Sequence, residues 1–264
     1  MGLRYCAAAL ICFISLMGLL SCGLEEFYFI DYIPPGDYVD TTRAVIILPS
    51  TSRAGYNYVD SFIIFYRIYI SGINPTGRIE TADERSQINP SLNSDFTAIY
   101  PSTDFTSTSV STSNLESTFY NTRKYFALAL EGADIDRVLS SGELEKTLEI
   151  AFPPNTGERP TLRLNNETQY FLQRANNNPS LLFNPEPEDR YFLNHPDLYD
   201  PAKAPPAAAN INADVAINSR PDTTPRYTYV SMYIAAKGRS TEMPPRYIYS
   251  QPTFLGIFRL ADSS

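Results

Sequence analysis

Tryptophan is absent from the 264 residues, histidine occurs once and cysteine three times. Each shortage closes a route. One histidine, His195, cannot supply the nitrogen ligands of most zinc sites, and histidine-based catalysis would have to run through it alone. Charge is scarce at 19%, and 21 Lys and Arg are outnumbered by 29 Asp and Glu, giving a net charge of −8 and a pI near 4.8. A basic footprint for nucleic acid is therefore not expected. The chain is instead 43% hydrophobic and 13% aromatic, with 19 Tyr and 15 Phe. A disordered polymer is poorer in aromatics and richer in charge, so most of this chain can bury a core. Its 21 prolines favour short strands and rigid loops over a helical bundle. The length fits one large domain or two small ones.

The N-terminus carries an address. Arg4 precedes sixteen uncharged residues, 5–20, and Ser21-Cys22 follows. Sixteen is short for a bilayer-spanning helix, which needs about 20 apolar residues, and suits a signal-peptide apolar region behind a positive start. Glu25 and Glu26 follow where an uncleaved anchor would carry Lys or Arg. Within this setting Leu19-Leu20-Ser21-Cys22 resembles the lipobox of bacterial lipoproteins. The resemblance implies cleavage between Ser21 and Cys22, a diacylglyceryl group on the Cys22 thiol and, usually, an acyl group on the new amino end. Two or more acyl chains anchor a protein stably. Cys6 and Cys12 would leave with residues 1–21, so Cys22 would be the only cysteine and no internal disulfide could form. Loss of Arg4 moves the net charge to −9. An acidic body gains nothing from an anionic membrane surface, so the lipid must do the anchoring. Residues 22–26 form a tether short enough to hold the body close to the bilayer.

The mature chain reads as strands. Residues 27–33 form an aromatic run ended by Pro34-Pro35-Gly36, and 44–48 a continuous β-branched run expected to be buried on both faces. The strongest strand is 58–71. Phe62, Ile64, Tyr66, Ile68 and Ile70 share one face, and Ile63, Phe65, Arg67 and Tyr69 the other. Apolar on both faces, it should lie centrally. Residues 125–130, 146–152, 161–164 and 168–172 give four shorter strands, the last two joined by Asn165-Asn166-Glu167 as a hairpin. Late in the chain, 226–236 alternates Tyr227, Tyr229, Ser231, Tyr233 and Ala235 against Thr228, Val230, Met232, Ile234 and Ala236, and 253–260 closes the fold. A helix is expected over 89–100, with Asn89 as N-cap, Pro90 in the first turn and Leu92, Phe96 and Ile99 at helical spacing. A weaker candidate spans 134–139. Residues 102–118, with 11 Ser or Thr in 17, read equally as a polar edge strand or a loop. The Pro-rich stretch 176–225 reads as an extended decoration, packed in places by Tyr191, Phe192 and Leu193.

The alternation in 62–69, 229–234 and 252–258 resembles strands of fibronectin-type and immunoglobulin-like sandwiches. The missing Trp and cysteine pair exclude an antibody-type core. The lipobox followed by such strands is also similar to a set of uncharacterised spirochaete (Treponema-type) lipoproteins. These resemblances imply a mainly β sandwich and an envelope address, and carry over no catalytic residue.

Chemistry is sparse. His195 stands among Glu186, Glu188, Asp189, Asp197 and Asp200, without the spacing of an EF-type calcium loop, and reads as part of a solvated acidic loop. No Gly-x-Ser-x-Gly elbow, Ser-x-x-Lys pair or Gly-rich phosphate loop occurs. Glu143 with Glu145, or Asp134 with Asp136, has the residue types of a glycosidase pair, but among 29 acids such pairs arise by chance and read as surface. Tyr227, Tyr229 and Tyr233, with Tyr247 and Tyr249, read either as an aromatic binding patch or, more commonly, as cross-strand packing. The expectation is thus a signal peptide over 1–21, a lipidated tether over 22–26 and one β-rich domain over 27–264. No catalytic residue, metal or cofactor is expected. The membrane is the first partner, and an envelope or host protein or a glycan the second. The rival reading is a membrane-tethered hydrolase using carboxylates of 134–149 or the surroundings of His195.

Overall fold

The computed structural model describes residues 30–75, 77–99, 115–155, 157–174, 192, 214–216, 227–241 and 244–261. The signal segment, Cys22, His195 with its acidic neighbours, and most of 176–225 lie outside them. In chain order the strands are β1 (Asp37–Asp40), β2 (Arg43–Leu48), β3 (Val59–Ser71), β4 (Phe126–Ala127), β5 (Ala129–Leu130) and β6 (Lys146–Ala151). They continue with β7 (Thr161–Leu164), β8 (Gln169–Gln173), β9 (Val215–Ala216), β10 (Tyr227–Arg239), β11 (Tyr247–Tyr249) and β12 (Thr253–Arg259). The helices are α1 (Ala82–Ile88), α2 (Pro90–Ile99), α3 (Leu115–Thr118) with a π-turn at Phe119–Arg123, and α4 (Ile135–Val138). The chain is mainly β, in two sheets that do not close into a barrel.

The first sheet runs β1-β2-β6-β7-β8-β5, antiparallel throughout. The second is built on β3 and β10, paired antiparallel over nearly their whole length from Tyr227↔Ser71 to Gly238↔Val59. β11 and β12 share the free edge of β10, while β4 and the parallel β9 share that of β3. The expected central position of the long strand is what the structure shows. Its alternation explains the layering. Phe62, Ile64, Tyr66, Ile68 and Ile70 join Val230, Met232 and Ile234 of β10 and Ile46, Leu148, Ile150, Leu162 and Leu172 of the first sheet in one core. Ile63, Phe65 and Tyr69 point the opposite way, where Ile88, Leu92, Ile99, Leu115 and Phe119 of the helical segments cover them. Phe119 stacks on Phe65 with centroids 4.3 Å apart.

Local chemistry fixes the joints. Asn89 accepts from the Ser91 N–H at 2.9 Å, the cap expected before Pro90, and α2 follows. Asn165 and Asn166 adopt positive φ in the β7–β8 hairpin, closed by Glu167 N–H to Leu164 C=O at 2.8 Å. Gly256 (φ +147) opposes Met232 where β12 shifts register, and a Cβ there would lie 2.5 Å from the Tyr38 ring. Only glycine fits.

Four expectations need correction. Residues 30–33 are not a strand, although Ile30 and Ile33 are buried; their backbone is taken by Gly55 C=O and the Thr253 and Tyr56 hydroxyls rather than by a ladder. β2 is covered on one face only: Ala44, Ile46 and Leu48 are buried and Ile47 is 55% exposed, because nothing described packs outside the first sheet. Residues 125–130 are not one strand. β4 pairs with β3, β5 with β8, and Leu128 sits at the crossing between sheets, its N–H on Ile64 C=O at 2.8 Å. The end of the Ser/Thr-rich stretch, 115–118, is helical because Leu115 and then Phe119 are needed as cover for β3.

Candidate functional site

The aromatic face of β10 is scaffold. Tyr229 and Tyr233 are fully buried and Tyr249 nearly so, beneath the helices; Tyr227 is half-buried, and Tyr247, at 43%, is the most exposed of the described members of that patch. Under this cover lies a polar network. Arg67 Nη1 donates to Asp95 Oδ2 at 2.5 Å and to Arg123 C=O at 2.8 Å. The Tyr69 hydroxyl donates to the same Asp95 oxygen at 2.5 Å and lies 3.0 Å from the Tyr125 hydroxyl, which reaches Ser231 Oγ at 3.1 Å. Burial raises the Asp95 carboxyl from its ordinary value, against the lowering pull of Arg67 and Tyr69. Burial also raises Tyr69, Tyr125 and Tyr233, so all three stay neutral. Burial alone would lower the Arg67 guanidinium, but the charge and hydrogen bond of Asp95 act against it and raise it. Among the described residues the buried Tyr233 hydroxyl has no hydrogen-bond partner of normal geometry, and Ser231 lowers it against the effect of burial.

A second buried pair occupies the other face of β3. Arg174, just past β8, holds Asp214 with two nitrogens, Nε to Oδ2 at 2.7 Å and Nη2 to Oδ1 at 2.5 Å. The Tyr66 hydroxyl adds a 3.0 Å bond to Oδ2, and Asp214 C=O accepts from Ile68 N–H at 2.8 Å. This pair fastens β9 to the core. Phe192, from the same Pro-rich stretch, packs edge-on against Tyr66 at 4.9 Å. Both buried carboxylates are thus tied to arginine and tyrosine in the interior.

Accessible chemistry lies at the margin of the helical cover. A cleft of about 790 Å³ opens between Ile63 and Phe65 of β3, Glu116 of α3, Tyr120 of the π-turn, the crossing segment 125–130 and the start of α4. Glu116 Oε1 accepts from Lys237 Nζ at 2.9 Å and from the Tyr249 hydroxyl at 2.8 Å. Burial alone would lower the Lys237 ammonium, yet the Glu116 hydrogen bond and the charges of Glu116 and Asp136 raise it. Tyr125 lines the floor, its hydroxyl turned inward to Tyr69 and Ser231. A second cleft of about 470 Å³, lined by Arg137, Val138, Leu164, Glu167 and Tyr170, shares Ala133 and Asp134 with the first.

Of the acids singled out from sequence, Asp134 and Asp136 are exposed at the cleft, Asp134 capping α4 through the Asp136 N–H at 3.1 Å. Glu143 and Glu145 are exposed on a loop elsewhere. The two pairs are not brought together in either cleft. Among the described residues no group of three or more His, Cys, Asp and Glu is placed to hold a metal. Sequence reading missed Asp95, although Leu92, Asp95 and Ile99 share one helical face and Arg67 lies on an apolar strand face. Two opposite charges on two core faces were the available signal. Comparison with protein-family models, curated proteins and solved structures finds no match.

Proposed function

We propose that this protein is a lipid-anchored lipoprotein of the bacterial cell envelope whose body is a non-enzymatic binding or surface module. The observation that carries the reading is Leu19-Leu20-Ser21-Cys22 placed directly after sixteen uncharged residues and a positive start. Residues 1–21 are removed, Cys22 takes the lipid, and residues 22–26 tie it to the body. That body is a sandwich of the fibronectin or immunoglobulin-like kind, a reading supported by two sheets whose inward faces share one core. No helix among the described residues is long and apolar enough to cross a membrane. The module reading is supported by the cleft. Its Lys237 is held charged by Glu116, and its floor tyrosine faces inward, an arrangement suited to recognition rather than proton transfer.

The reading is tested by Cys22→Ala. The expected outcome is unprocessed precursor that takes up no labelled palmitate and carries no acyl group on phase separation in detergent. A processed, palmitate-labelled product from the variant would contradict it.

A further inference from the structure

We infer that the two adjoining clefts form one groove that docks an extended, basic segment of a partner polypeptide. The inference rests on reading the body as a binding module and names what it binds. Shape gives the first argument. The clefts share Ala133 and Asp134 as a saddle, with Gly132 lining the second, so small side chains separate two hollows of about 790 and 470 Å³. A compact ligand would fill one hollow; an elongated one spans both.

Charge gives the second argument. Glu116, Asp134, Asp136 and Glu167 line the groove against Lys237 and Arg137. Lys237 is already held by Glu116, and that carboxylate spends one oxygen on both Lys237 and Tyr249. Asp134 and Asp136 stand exposed beside the saddle. The groove therefore presents net negative charge over an apolar lining, Ile63, Phe126 and Ile135 in the first cleft and Val138, Leu164 and Tyr170 in the second. A strand-like segment with basic and apolar residues in alternation meets both requirements, because its side chains alternate in direction. A neutral glycan would leave the carboxylates without counter-charge.

The test titrates the full-length chain, in non-ionic detergent, with a labelled peptide of about eight alternating Leu and Lys residues, an extended run comparable in length to one long strand, and reads fluorescence anisotropy. Its Leu–Glu counterpart and a neutral glucose oligosaccharide serve as comparisons. The expected result is saturable binding of the Leu–Lys peptide alone, weakened by added salt. Asp134→Asn with Asp136→Asn should weaken it about fivefold, the scale of two partly exposed charge pairs, while Asn keeps the α4 cap. Ala133→Phe, which blocks the saddle without changing charge, should weaken it more. If that variant fails to fold, the double Asn variant decides. Equal binding by wild type and the double variant, binding of the oligosaccharide instead, or no binding of the Leu–Lys peptide would overturn the groove. Palmitate labelling of the same preparation reports the anchor separately, so a failed groove with an intact lipid leaves the envelope reading standing.

Discussion

The outer face of the first sheet meets solvent, whereas that of the second lies under helices. On the first, Ile47 and Phe171 are 55% and 40% exposed, and a half-exposed Arg43 pairs with a partly exposed Glu149 at 2.8 Å. Such pairs contribute about 0–1 kcal/mol. On the second, Ile63, Phe65, Tyr69, Tyr229 and Tyr233 are buried a second time, on the side away from the inter-sheet core. A sheet covered on both faces has nowhere to send an arginine, and so Arg67 is met by an aspartate from α2. The same strand carries Tyr66 to the other buried aspartate. The comparison teaches where polar groups can be read as scaffold. Inside the doubly covered sheet they hold elements together, and among the described residues an open cleft lies at the margin, between α3, the π-turn and α4.

The two buried pairs can be set against each other by mutation. Asp214→Ala should have the largest effect, because it removes the carboxylate that takes two bonds from the Arg174 guanidinium, 3% exposed, and loosens β9 from β3. A loss of about 3–5 kcal/mol is expected in urea denaturation, and a loss below about 1 kcal/mol would remove this pair from its fastening role. Asp95→Asn should cost less, about 1–2 kcal/mol at neutral pH, since the amide still accepts from Arg67 and Tyr69.

Its pH dependence sharpens the comparison. The Asp95 carboxyl is raised in the fold from an ordinary value of 3.8. Its stabilising contribution is therefore complete below the unfolded value and is lost as pH rises through the folded one. Wild type should gain on Asp95→Asn as the pH falls from neutral toward about 4; a gap that narrows in acid would reverse the assignment. The smallest effect belongs to Tyr233→Phe. Its buried hydroxyl has no hydrogen-bond partner among the described residues, so thermal unfolding should show no loss and up to about 1 kcal/mol of gain. A loss greater than about 1 kcal/mol would mean that the hydroxyl is satisfied after all.

Much of the fold was legible because the strands that matter carry their own alternation. β3 and β10 show two apolar faces in sequence, and both faces are buried. Asn89-Pro90 marked α2, yet α1 passed unread although Thr81 and Glu84 have the spacing of a capping box and form one in the structure. A continuous apolar run misled at β2, since Ile47 has a strand's side-chain direction but no layer above it. The break at Leu128 was invisible because a chain crossing between sheets keeps an apolar strand composition. The cleft was less legible still. Glu116, Tyr120, Asp136 and Lys237 come together only through the packing of α3, the π-turn and α4 around β3 and β10, and no local pattern links them. Arg174 and Asp214 are 40 residues apart with no periodicity between them.

The central claim is that the mature chain begins at a lipidated Cys22, and trypsin makes it measurable. No Lys or Arg lies between Arg4 and Arg43, so the first body-linked peptide differs completely between the alternatives. Mass spectrometry of the protein from the membrane fraction should find a peptide of residues 22–43 carrying the mass of the acyl groups on Cys22. An unmodified peptide of residues 5–43, or one starting at another residue without lipid, would contradict the account.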